Sequence, residues 1–144
     1  MNPFHLILGH LLGDFVLQNN WMAMRKGAKL FPCLVHCFIY TACVGFLTTL
    51  NPYWLLVVFL SHFFIDRYSL ADKWLKLING RSLEVFIHFG HMGIPDSLPE
   101  NEKQNYRILR GSFAALVYTA VDNTFHFVLM GLGYLLLKHN NLLG

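Results

Sequence analysis

Three aspartates each have a histidine four positions away: His10-Leu-Leu-Gly-Asp14, His62-Phe-Phe-Ile-Asp66 and Asp122-Asn-Thr-Phe-His126. On a helix, residues four apart share one face, about 5–6 Å from each other. Each pair therefore points in a single direction. Gln18 extends the first pair by a turn, and His36 adds a fourth histidine. Imidazole with carboxylate suits Zn, Mn, Fe or Ni, and a set without cysteine disfavours a soft metal. The candidate ligands are His10, Asp14, His36, His62, Asp66, Asp122 and His126, enough for one or two divalent ions. Two such ions could activate a water molecule and clamp a phosphate or acyl oxygen. Gln18 is expected behind the ligands or orienting substrate.

The stretches that carry these residues are apolar. The 144-residue chain is 55% hydrophobic, 15% aromatic and only 13% charged, where a soluble domain has about 25% charged residues. That composition excludes a disordered chain, a coiled coil and an ordinary soluble enzyme surface. A formal charge of +3 is too modest to imply nucleic-acid binding. Cys33, Cys37 and Cys43 share one apolar stretch and make no disulfide framework. Crossing a membrane takes roughly 20 apolar residues, and four segments qualify, at about 3–21, 30–50, 53–70 and 111–137. Asp14, Gln18 and the lack of a basic leading stretch argue against a cleaved signal peptide.

The expected fold is all-α: a four-helix transmembrane bundle forming one domain over 1–144. A cytoplasmic or interfacial insertion at about 71–110 separates helices three and four. Within it, residues 82–91 could form a surface helix. Asp96-Ser97-Leu98-Pro99-Glu100 reads as a helix start with Ser97 as N-cap, so the fourth helix is expected to begin before the membrane. Basic residues favour the cytoplasmic side. They gather between helices one and two (Arg25, Lys26, Lys29) and between three and four (Arg67 to Arg110), while the Asn51-Pro52 turn has none. Both termini are therefore expected outside, in a membrane such as the bacterial inner membrane. Trp21, Tyr53, Trp54, Trp74 and Tyr134 sit near helix ends, where interfacial aromatics are enriched.

Each aspartate near the middle of a membrane helix costs roughly 2.5–3.5 kcal/mol on insertion scales, so three cost on the order of 10 kcal/mol unless satisfied. At 1.5 Å per residue, all four helices place their polar residues in the inner half of the bilayer, and helical bundles build metal sites by facing such residues inward. A lone His–Asp pair is ordinarily interhelical glue or half of a proton path; three pairs plus His36 at similar depth bring the metal site level with that alternative. His88 and His91 read as a solvated face, His5 and His139 as outer-end residues, and Cys33 with Cys37 as a packed pair. Gly9 and Gly13 form a small-xxx-small pattern that admits a neighbouring helix.

His10-Leu-Leu-Gly-Asp14-Phe-Val-Leu-Gln18, then Trp21-Met22, His36, Ser61-His62-Phe-Phe-Ile-Asp66 and Lys73 together resemble domain-of-unknown-function family 3307, small bacterial and phage membrane proteins. Asp122 and His126 resemble that family's late Asp/His element. The resemblance implies that the polar residues are a shared signature; it implies no substrate. The chain is also distantly similar to small membrane proteins described as metal-dependent hydrolases, from which no residue is carried over.

The function expected is a metal-dependent membrane enzyme hydrolysing a lipid headgroup or other phosphoester at the cytoplasmic leaflet. Metal-activated water would be the nucleophile, because no Ser or Cys is placed against a base. Arg25, Lys26, Arg107 and Arg110 would hold the anionic substrate. The alternatives are a proton or divalent-metal transporter using the same residues, and a non-enzymatic interaction protein whose cluster fixes bundle geometry. An outer half almost devoid of polar residues favours the enzyme over the transporter. Membrane lipids are the expected partners, nucleic acid is not, and homo-oligomers remain open.

Overall fold

The computed structural model describes residues 2–79, 94–95 and 97–143. The expected surface helix at 82–91, with His88 and His91, and Asp96 of the expected helix start lie outside the described residues. Helix α1 spans Pro3–Leu11, started by Pro3 and by the Asn2 side chain, which accepts a hydrogen bond from the Phe4 amide at 3.0 Å. It runs into a π turn at Leu12–Val16. There the apolar helix stops, short of the expected Trp21. The reason is local: Asn19, in extended conformation, caps a separate short helix α2 (Asn20–Ala23) by accepting from the Met22 amide at 3.0 Å.

Helix α3 spans Leu30–Leu47 and α4 spans Pro52–Tyr68. Between them Asn51 caps α4, its side-chain Oδ1 accepting from the Tyr53 and Trp54 amides at 3.0 and 3.2 Å. α4 ends at Ser69, whose φ of 47° is left-handed and cannot continue a helix. Helix α5 follows at Leu70–Asn79, and α6 runs from Glu100 to His139. The expected N-cap at Ser97 is not where α6 starts: Leu98 precedes Pro99, and a residue before proline is pushed out of the α region. The Pro99 carbonyl instead accepts from the Glu102 and Lys103 amides.

The chain divides into two compact units, one of residues 1–69 with 126–144 and one of residues 70–125. In the first, α1, α3, α4 and the C-terminal part of α6 meet at a core of Leu6, Tyr40, Val44, Trp54, Val58, Met130 and Leu137. Gly9 and Gly13 let α1 lie against α3; a Cβ on them would fall 2.9 Å from Val44 Cα and 2.8 Å from Tyr40 Cδ2. Trp54 is a core residue and not an interfacial one. Its indole N–H donates to Thr48 Oγ1 at 2.9 Å and its ring meets Tyr134 edge-on. In the second unit, Ala71, Leu75 and Ala114 are buried and Trp74 packs edge-on against Phe125.

The described residues form helices and no strand. Among the described residues two helices, α3 and α6, are long and apolar enough to cross a membrane, and α4 with α5 makes a third if the pair broken at Ser69 counts as one span. The apolar stretch Pro3–Val16 is shorter.

Candidate metal centre

The π turn, α3 and α4 bring four of the expected ligands together. Asp14 sits on the π turn, His36 on α3, and His62 and Asp66 one turn apart on α4. All four are buried, and one ligand atom from each lies within 4.8 Å of the others. His36 Nε2 is 3.0 Å from Asp14 Oδ1, 3.1 Å from Asp66 Oδ2 and 2.9 Å from His62 Nε2. His62 Nε2 is in turn 3.2 Å from Asp66 Oδ2 and 3.7 Å from Asp14 Oδ1. Ligands at about 2.1 Å from a tetrahedral ion stand about 3.4 Å apart. The observed separations scatter around that value, and the donor set could hold a metal ion.

The flanking residues fix ring orientation. His62 Nδ1 is 3.1 Å from His126 Nδ1, the kind of outer contact that sets a ligating imidazole's tautomer. The Tyr40 ring stacks on His62 at 3.6 Å and 11°. His36 Nδ1, by contrast, is buried without a hydrogen-bond partner. The Gln18 amide donates to the Asp14 carbonyl at 2.6 Å, holding the end of the π turn.

His126 stands next to the four, with Nε2 at 3.8 Å from both Asp14 Oδ2 and Asp66 Oδ1. His10 is drawn aside: its Nδ1 is 3.8 Å from Asp14 Oδ2 but 2.8 Å from the Tyr40 hydroxyl. Asp122 lies one turn before His126 on α6, half-buried, in the second unit.

Of the four residues expected to bind substrate, Lys26 is the surprise. Its ammonium is 2.8 Å from Asp66 Oδ2, 3.4 Å from His36 Nε2 and 3.7 Å from Asp14 Oδ1. Arg25 is exposed on the same loop. Arg107 and Arg110 belong to the second unit, where Arg107 pairs with Glu100 at 3.2 Å. Tyr40 escaped the sequence reading, although its position four residues after His36 places it on the same face of α3.

The comparison with protein families rests on almost the whole chain, because residues 4–140 match one family. The chain belongs to the family described as Protein of unknown function (DUF3307). No curated protein and no solved structure matches it. For a DUF3307 chain, then, the converging atoms themselves are the guide to chemistry.

Proposed function

We propose that this protein is a membrane-embedded, metal-dependent hydrolase acting on a lipid headgroup or other phosphoester at the cytoplasmic leaflet. The observation that carries this reading is the convergence of Asp14, His36, His62 and Asp66 to within 4.8 Å from three separate elements. In this reading α1, α3, α4 and α6 form a four-helix transmembrane bundle with both termini outside, and the basic α2–α3 loop faces the cytoplasm. A bound Zn, Mn, Fe or Ni ion would supply Lewis acidity and a nucleophilic water at neutral pH. Asp14 and Asp66 offer the charge that holds such an ion, His36 and His62 complete its ligands, and His126 is within reach of both carboxylates. Arg25, and Lys26 when it is released from the carboxylates, would hold the anionic group.

The test is elemental analysis of the purified protein, followed by assay of the metal-loaded protein on phosphodiester and phosphomonoester headgroup lipids. Stoichiometric divalent metal with hydrolysis abolished in Asp66→Asn is the expected result. A stable protein without metal and indifferent to chelator would sink the mechanism. The Lys26–Asp66 ion pair favours a second reading, a charge-compensated polar core with no metal. In that case Asp66→Asn, which keeps hydrogen-bonding capacity and removes a buried charge, should not abolish any activity.

A further inference from the structure

We propose that Lys26 is the resident counter-cation of Asp14 and Asp66, and that a divalent ion enters the site by exchange with its ammonium. The inference rests on the metal reading above and adds how the site is loaded. Lys26 Nζ approaches Asp66 Oδ2, His36 Nε2 and Asp14 Oδ1, three of the atoms that make up the ligand set. An ion about 2.0–2.2 Å from those atoms would meet the ammonium at close range as a second positive charge in the same small space. The two cations therefore exclude each other.

The balance of charge sets the direction of exchange. One ammonium balances one of the two carboxylates, whereas a divalent ion balances both. The loop is built so that only the side chain has to leave. Arg67 donates from its guanidinium to the Gly27 carbonyl, tying the backbone beside Lys26 to the end of α4. Gly27 fits closely there, since a Cβ on it would lie 3.3 Å from Ser69 Oγ. The Lys26 side chain is 19% exposed, so part of it already reaches the surface, where Arg25 and Lys29 are exposed on the same loop. Flexible lysine bonds can swing the ammonium outward while the backbone stays.

The full chain, purified in detergent and stripped with chelator, is titrated with zinc or manganese. Acylation of lysine amines is read by mass spectrometry, and metal content is measured in the same samples. Acylation of Lys26 should rise several-fold as metal binds, while that of Lys29 stays constant. Lys26→Met should bind metal about tenfold to hundredfold more tightly, the worth of the charge-assisted hydrogen bonds lost from the competing state. Bound metal with unchanged Lys26 acylation overturns the exchange and leaves the metal site standing, as does a folded Lys26→Met that binds no more tightly. If neither the unaltered chain nor Lys26→Met takes up metal, the metal reading falls and the exchange with it. The acylation arm uses the unaltered chain, so it decides the matter even if Lys26→Met fails to fold.

Discussion

Asp14 Oδ1, Asp66 Oδ2 and His62 Nε2 all lie within 3.1 Å of His36 Nε2, yet a ring nitrogen carries at most one proton and can serve only one of them well. A divalent ion would satisfy all four atoms at once. Asp14→Asn, His62→Ala and Asp66→Asn should therefore each lose metal by elemental analysis, whereas His5→Ala and His139→Ala should retain it. Tyr40→Phe makes a separate point. It removes the hydroxyl that bonds His10 at 2.8 Å and Met130 Sδ at 3.4 Å but keeps the ring over His62. It should cost about 1 kcal/mol of stability, seen as a lower melting temperature, with metal content unchanged. Much of this site was legible, because ionisable residues in apolar stretches are rare enough to stand out. What spacing could not show is which way a given imidazole turns. His10 and Asp14 share a helical interval, but Tyr40, from another helix, competes for the His10 ring. Lys26 read as a loop charge for an anionic substrate, since its contact with Asp66 spans 40 residues of chain.

Among the elements, the π turn at Leu12–Val16 has the largest influence on the site. A π turn holds one more residue than an α turn and is frequent at functional sites. Hydrophobic periodicity cannot reveal it, which is why a regular helix to Trp21 was the natural expectation. The glycines before it were readable as a close-approach pattern, and their contacts give a test. Gly9→Leu would drive a side chain into the α3 backbone at Val44, and Gly13→Leu into Tyr40. Either should destabilise by about 1–3 kcal/mol or more, as overpacking does, because each Cβ would press on the α3 backbone, 2.9 Å from Val44 Cα and 3.0 Å from Tyr40 Cα. Thermal unfolding in detergent measures both, and unchanged melting would mean that α1 does not pack here. Asn51→Ala removes the acceptor for two amides at the start of α4 and should cost about 1 kcal/mol by the same measurement.

For the molecule as a whole, the basic loops predict how it sits in a membrane. In a background lacking the native cysteines, a cysteine at Asn51 should label from outside the cell and one at Lys29 only after permeabilisation. Reversed labelling would move the proposed substrate to the other leaflet. Apolar length made α3 and α6 readable as possible spans, but it could not show that α6 belongs to both compact units or that α5 is a helix of its own. Those depend on packing between distant segments. The four converging ligands and Lys26 all fall between residues 14 and 66, whereas His126 comes much later on α6. Synthesis at about 5–20 residues per second leaves roughly 3–12 s between Asp66 and His126. Through that interval the nascent helices hold two carboxylates before their last neighbour has been made. Lys26, already translated, can shield them, so the chain carries within its first half a counter-charge for both carboxylates.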